Sequence, residues 1–534
     1  MFRNSPPAPA TISRTLLGHP VSKAVCGAAV LLCGTWPLSS TAQPQSPVAE
    51  PAAAAPAELG VSLRQMVQAL RAGNRSIQSR ANEHAIAEAA VGKARGAFQP
   101  NVNVAFSNGR QLQRTTPEED LSRYQVSNQV AGIYDRRGQD YSVGLSKLTE
   151  TGAKVEAKAT LSDFITNVTR ALRQNDLYDH RAFYGVTLTQ PLARDFGRDV
   201  TLARVRVAEL DAQAAALNSL DTESSVVAEA CLAYLDLAFA QQRVAIAQER
   251  IQMGQRMLAE AQARVRQGRA PESDTWEVES SLSRYRSSLS EAEQQRLDRM
   301  NRLRTLVGSR VLDQPQPWRA TDPLPGMRAE LPSVLQSIEH AREGRPDLKA
   351  KRLALEREEL QIGYARNQLA PRVDLLMSAG VNGLSVDRSQ SLSYQRMKDY
   401  PTWSIGLQMA FPLGENEQGQ ADLRAALTRR DDARQAVDML EASIANDIDT
   451  SIGLIGSALQ RWQFAGEVAA REQRLLELDR QRMLEGRVAM RDVLVSEERS
   501  SSARLVMLEQ QTQHAKAQVL LDAAQGTLLD RFQP

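Results

Sequence analysis

The feature that most constrains this chain is that its body is written twice. Gly268-Arg269 and Asp274 recur 218 positions later as Gly486-Arg487 and Asp492. Gly185-Val186-Thr187-Leu188-Thr189-Gln190-Pro191-Leu192 recurs 221 positions later as Gly406-Leu407-Gln408-Met409-Ala410-Phe411-Pro412-Leu413. Ala94-Arg95, Pro100 and Val102 recur 271 positions later as Ala365-Arg366, Pro371 and Val373. Three matches in one order, with offsets that differ through one insertion, mark a duplication. The halves run over 59–309 and 332–530, a Pro-rich link at 310–331 joins them, and the surplus length of the first half falls within 110–180. Each half must also hold a very long helix. No proline interrupts Asp195–Gly268 or Gly414–Gly486, and at about 1.5 Å per residue such a helix reaches on the order of 110 Å. No single globular core accommodates that. The other helices of each half, about 38 residues before the strands and about 37 after the glycine break, would match one long helix if stacked end to end.

Period-2 alternation marks the strands. In Asn101–Ser107, Val102, Val104 and Phe106 alternate with polar residues. In Lys154–Leu161, Val155, Ala157, Ala159 and Leu161 face one way and Lys154, Glu156, Lys158 and Thr160 the other. Thr402–Met409 alternates likewise. Tyr141–Leu148 joins Lys154–Leu161 through Thr149-Glu150-Thr151-Gly152 and reads as an added hairpin, which would raise the strands per chain from four to six. So few strands cannot bury a face alone. They must join strands of other copies of the chain, and a barrel shared between subunits does that. Phe106, Tyr184, Trp403 and Phe411, near strand ends, fit either an interfacial girdle or packing where strands meet helices. The aromatic content, 5%, suits thin helical layers rather than bulky cores.

Residues 1–42 have the three parts of a secretory signal. Arg3, Arg14 and Lys23 come without an acid, Ala24–Leu38 is mostly apolar, and Ser40-Thr41-Ala42 offers a cleavage site. The apolar run is shorter than the ~20 residues of a membrane anchor, and Val25 and Leu32 before Cys26 and Cys33 speak against lipidation. Residues 43–58, with Pro44, Pro47, Pro51 and Pro56, read as a tether. Past residue 42 only Cys231 remains, so no intrachain disulfide is expected. With 65 Lys and Arg against 63 Asp and Glu, the chain lacks the cation excess of a nucleic-acid binder. His84, His180, His340 and His514 are scattered without metal-ligand spacing, and no metalloprotease, P-loop, nucleophile-elbow or paired-Cys signature is present. No enzyme activity, cofactor or metal is expected.

The duplicated Gly268…Asp274 and Gly486…Asp492-Val493-Leu494, the strand ends Thr189-Gln190-Pro191-Leu192 and Phe411-Pro412-Leu413, and Gly344-Arg345-Pro346-Asp347-Leu348 at the opening of the second half together resemble the outer-membrane efflux protein family, the TolC-like channels, over roughly 59–530. The resemblance implies an α+β membrane protein. Each subunit would give 4–6 strands to a trimeric β-barrel in the bacterial outer membrane, above a large periplasmic tunnel of coiled α-helices. Such a chain serves as the exit duct of a tripartite efflux pump or type I secretion system. Its partners would be two further copies of itself (a homotrimer), a periplasmic adaptor (membrane fusion) protein, an inner-membrane transporter of resistance-nodulation, ABC or major-facilitator type, and outer-membrane lipid. It also implies that the turns around Gly268, Asp274, Gly486, Arg487, Arg491 and Asp492 form the periplasmic entrance, with Asp492 as a ring of three carboxylates. Drug-efflux members carry a second entrance acid where this chain has Val495, and an arginine where it has Val488; Arg487 or Arg491 is the candidate to replace that arginine's link to the neighbouring turn. Pro191 and Pro412 follow strands and precede long helices, and Pro100 and Pro371 precede strands. Proline cannot donate to a ladder, so these four are expected at the junction of barrel and tunnel. Two other functions remain open, a structural coiled-coil protein of the envelope and a periplasmic adaptor subunit, though an adaptor would carry one hairpin between β halves.

Overall fold

The computed structural model describes residues 58–127, 132–308, 316–327, 330–393 and 398–532. The expected signal segment and nearly all of the tether lie outside these residues. The first half opens with β1 (Leu59–Val61), α1 (Leu63–Gly73) and α2 (Arg75–Gly96). Strands follow: β2 (Asn101–Arg114), β3 (Ile133–Leu148), β4 (Lys154–Thr166) and β5 (Asp179–Pro191), with short helices α3 (Pro117–Ser127) and α4 (Asn167–Arg173) in the connections. After the one-turn α5 (Arg198–Thr201) come the long α6 (Ala203–Arg266) and α7 (Glu272–Val307). The second half repeats the order without the insertion: α8 (Val334–Gly344), α9 (Pro346–Gln368), β7 (Arg372–Ser385), one-turn α10 (Arg388–Ser391), β8 (Pro401–Ala410), α11 (Glu417–Leu484) and α12 (Met490–Gln525). With 64 and 68 residues, α6 and α11 extend for roughly 100 Å each.

Each long helix is lined by two shorter ones that meet end to end. In the first half α7 abuts α2. Asn74 makes the joint: its Oδ1 accepts from the Ser76 and Ile77 N–H groups as the N-cap of α2, and its Nδ2 donates to the Leu306 carbonyl at 2.7 Å. One side chain thus satisfies orphan groups at two helix ends. In the second half α12 abuts α9. Arg345 donates through Nη1 to the Ala524 carbonyl and is held by Asp347 at 2.6 Å. Burial alone would favour neutral Asp347, but the Arg345 hydrogen bond and charge prevail and hold its pKa below the usual range. The joint positions differ by 271 (Gly73, Gly344) and 218 (Gly308, Gly526), the same offsets that mark the duplication.

Where the sequence reads a Pro-rich link, the structure adds β6 (Trp318–Ala320), which pairs in parallel with β1. Tyr234 on α6 fastens this segment, donating to the Val61 carbonyl and accepting from the Thr321 and Asp322 N–H groups. Beneath it Met66, Leu70, Val227, Leu237, Leu303 and Trp318 form a buried cluster around the middle of the helices, each large side chain contributing about 1.5–3 kcal/mol. Cys231 lies in this core, and burial pushes its thiol up to about 12, so it is unreactive at neutral pH. A matching cluster of Leu348, Ile444, Ile448, Ile455 and Leu521 serves the second half.

The sheet has six antiparallel strands in the order β2-β3-β4-β5-β7-β8. The hairpin β3–β4 is the added one, inserted between the two strands that the second half also has. Among the described residues no helix is long and apolar enough to cross a membrane.

Candidate functional site

At the end of the helices away from the sheet, two turns have one geometry. Gly268 (φ +67°) follows α6 and Gly486 (φ +76°) follows α11. The Arg269 N–H bonds back to the Arg264 carbonyl and the Arg487 N–H to the Arg482 carbonyl, each at 2.9 Å. This is the six-to-one bond of a Schellman stop, whose left-handed position favours glycine. The next helix then starts four residues on. Asp274 and Asp492 occupy its first turn, where a carboxylate complements the helix dipole. Asp492 accepts from the Ala489 N–H at 3.3 Å and is exposed, whereas Asp274 is half-buried.

The two turns of one chain lie against each other. Met257, Ala261 and Val278 from the first and Leu476, Met483, Met490, Val493 and Leu494 from the second form one buried cluster. Arg264 crosses between them, donating to the Met483 carbonyl at 3.0 Å. Arg487 pairs with Glu485 of its own turn at 3.1 Å, and Arg491 is exposed. Among the described residues, Arg264 makes a polar cross-link between the two turns. Nothing in its spacing singles it out from the other arginines of α6.

The four prolines lie together at the end of the sheet that joins the helices. Pro100 and Pro371 precede β2 and β7, Pro191 is the last residue of β5, and Pro412 lies two residues beyond β8. Pairing continues for a few bonds past Pro191: the Leu192 N–H donates to the Val373 carbonyl and the Arg194 N–H to that of Pro371. Asp195 (φ +64°) then redirects the chain, held by the side chains of Asn367 and Gln368. Pro191 is buried and packs against the β3–β4 turn at Gly152; Pro100, Pro371 and Pro412 are exposed.

The sheet is two-faced. On one face Phe106, Tyr141, Leu161 and Ala182 stand side by side, then Val104, Val143, Ala159, Tyr184 and Val381, then Val102, Leu145, Ala157, Val186, Ala379 and Trp403. Beyond the first of these rows, away from the helices, lie Asn108, Gln139, Asp163, His180 and Ser385. The opposite face presents mainly Asn, Ser, Thr, Gly and charged residues, such as Asn101, Ser146, Glu156, Thr187, Ser378 and Ser404. Phe106 and Tyr141, their rings 5.1 Å apart, and then Tyr184 and Trp403 follow the edge of the apolar band farthest from the helices. Water-exposed single sheets do not carry an all-apolar face six strands wide. This one matches the lipid-facing wall of a barrel. The edge strands β2 and β8 are exposed along their whole length.

Three comparisons bear on this architecture. Solved structures of similar fold include the outer-membrane channel OprN (18% identity, TM-score 0.63, covering 87% of this chain and 90% of that one) and the Campylobacter jejuni CmeC outer membrane channel (14%, 0.63, 87% and 86%). The open state of the Neisseria gonorrhoeae MtrE outer membrane channel is also similar (17%, 0.61, 88% and 91%). No curated protein sequence matches the chain. The family model described as outer membrane efflux protein matches residues 160–309 and 337–527, most of both halves. On that match, and with the TolC-like fold its neighbours share, the chain belongs to the outer membrane efflux protein family.

Proposed function

We propose that three copies of this chain close one barrel in the outer membrane and one helical tunnel beneath it in the periplasm. The assembly would form the exit duct of a tripartite efflux pump or type I secretion system, with an adaptor and an inner-membrane transporter delivering the cargo. The observation that carries this reading is the six-stranded sheet with one apolar face and two free edges. Lipid tolerates no open edge, and six strands are too few to enclose water, whereas three copies give roughly 18, the size of water-filled porins. The register supports closure. From β2 to β8 the apolar window slides along the strands by roughly four to five residues, about 15 Å. Over five inter-strand steps of about 4.8 Å, that is a tilt of roughly 32°, near the ~35–45° of transmembrane barrels.

Threefold symmetry would bring three exposed Asp492 carboxylates towards one axis at the tip farthest from the membrane, with Asp274 and Arg264 holding the turns behind them. Planar-bilayer recording of the purified protein tests this. Wild type should conduct as a trimer by mass in detergent, and a polyvalent cation added from the helical side should block it. Asp492→Ala should need about tenfold more of that cation, since a focused ring of like charge concentrates counter-ions by that order or more. A folded monomer would rule out the shared barrel, and equal block in both proteins would remove Asp492 from the entrance.

The prolines are proposed to mark the barrel–tunnel junction. Pro191→Ala should lower the melting temperature and trimer yield more than Pro412→Ala. Either change frees the unfolded backbone by about 0.4–1 kcal/mol, but only Pro191 also loses buried packing. Indistinguishable melting of the two variants would place no special load on Pro191.

A further inference from the structure

On the polar face of the sheet, charge is unevenly compensated. Its four carboxylates among the described strand residues each have a cation: Asp140 with Arg136 at 3.5 Å, Glu156 with Lys154 at 3.6 Å, Asp179 with Arg173 at 2.8 Å and Asp374 with Arg372 at 2.7 Å. Two cations on the same face, Lys158 and Arg181, have no ion pair among the described residues.

Lys158 stands in a setting that keeps it in water and reachable. Its cross-strand neighbours are Gly144 on β3 and Gly185 on β5, and Gly185 is paired in turn with Gly380 on β7. Those three positions carry no side chains of their own, so the surface beside Lys158 on the β5 side is the Phe183 ring. The Phe183 ring covers Gly185 and Gly380, and a Cβ on either glycine would fall within about 2.5 Å of ring atoms. On the opposite face Ala157 and Ala159, on either side of Lys158, lie in the middle of the apolar band, so the ammonium is placed at mid-membrane height. Arg181 lies farther from the helices, beside Ser162 in register, with its guanidinium 5.6 Å from the centre of the Phe164 ring. Arg136 covers the same ring at 4.7 Å. Stacking on an aromatic face orients a guanidinium without neutralising it, so its donors remain available to an anion.

We propose that Lys158 and Arg181 form an anion-binding sleeve inside the barrel, two uncompensated cations per subunit, that takes polyanionic or carboxylate-, sulfonate- and phosphate-bearing solutes on their way out. The proposal rests on the shared-barrel reading, which puts the polar face inside. Low-dielectric walls focus the field of like charges in a narrow lumen, so one conduit would present carboxylates at its helical tip and cations in its barrel. A charged solute then meets opposite preferences at its two ends.

The probe is inorganic tripolyphosphate, applied to single channels of the full-length protein in planar bilayers. Added on the barrel side, it should block wild type, and more effectively than from the helical side, where the carboxylates lie. Lys158→Gln with Arg181→Gln should raise the half-blocking concentration about tenfold, while Lys158→Arg with Arg181→Lys retains block. The cation block from the helical side, which reports Asp492, should be unchanged in both. A conducting wild-type pore indifferent to barrel-side tripolyphosphate, or blocked equally in the Gln double variant, overturns the sleeve and leaves the channel standing. A wild-type protein that forms no pore overturns both. The sidedness of block in wild type decides the matter even where a variant fails to assemble.

Discussion

Gly308→Ala should cut the yield of folded protein several-fold and depress its melting temperature far more than alanine at Gly268 or Gly486. All three glycines have positive φ, but their surroundings differ. Gly308, at φ +96° and ψ 175°, lies in a region essentially closed to other residues, at about 1–3 kcal/mol. A Cβ there would also fall 2.3 Å from the Gly73 carbonyl oxygen and 2.8 Å from its carbon. Those are backbone atoms at the joint between α7 and α2, which cannot rotate away, and overpacking a tight contact adds about 1–3 kcal/mol. Moving them would also disturb Asn74, whose side chain caps one helix and closes the other. At Gly268 and Gly486 a Cβ would meet nothing within 4 Å, so only the left-handed backbone opposes it, at about 1–2 kcal/mol. Thermal melting of the four proteins in one detergent is the measurement. If Gly308→Ala melts no lower than Gly268→Ala, the joint has room that the distances deny.

The same joint shows how far the sequence could be read. The expectation that two short helices stack to match one long helix came from lengths alone, and the joints occur where chain length requires them. The residues that make them were not legible. Asn74 looks like any helix cap until Leu306, more than 200 positions away, is brought beside it, and the second half solves the same problem with Arg345 and Asp347. The strands were visible only where an apolar face makes them alternate. The alternation ends at Ser107, but β2 continues to Arg114, with Asn108 and Arg110 on the face that is apolar nearer the helices, and the first residues of β3 lack alternation for the same reason. The helices α3 and α4 within the insertion, and the three-residue β1 and β6, are too short for periodicity to register. The glycine turns and prolines were legible because the backbone itself demands those residue types. The long-range polar contact of Arg264 was not, since any exposed arginine on a long helix has the same local sequence.

Glu497→Ala should be the most damaging single side-chain truncation near the tip of the helical shaft. Glu497 is 3% exposed, one turn above the apolar cluster at the tip, and it gathers three helices. Its Oε2 accepts from the Tyr285 hydroxyl of α7 at 2.7 Å, and its Oε1 from Ser501 of α12 at 2.8 Å. Arg250 of α6 approaches the carboxylate at 3.5 Å and lies over the Tyr285 ring at 4.4 Å. Arg480 of α11, whose pKa burial lowers, is supported foremost by the charge of Glu497. Removing the carboxylate leaves the largely buried Arg250 guanidinium without its anion, a loss of about 3–5 kcal/mol for a broken buried pair, and takes from Arg480 its strongest supporting charge. Glu497→Gln keeps the shape and one acceptor and should lose less, and Tyr285→Phe least, about 1 kcal/mol. The phenol adds a signature in pH. Burial first, then the hydrogen bond to Glu497 and its charge, raise the pKa of Tyr285 above the ordinary value. The unfolded chain therefore releases this proton sooner than the folded one. The resulting stability is complete below about pH 10 and is lost as pH rises beyond it. Melting curves of wild type, Glu497→Ala, Glu497→Gln and Tyr285→Phe, taken at neutral pH and above pH ~10, separate these effects. Wild type should lose more stability at high pH than Tyr285→Phe does. If Glu497→Ala instead melts with wild type, Arg250 reaches water without the carboxylate, and the three helices are held by apolar packing alone.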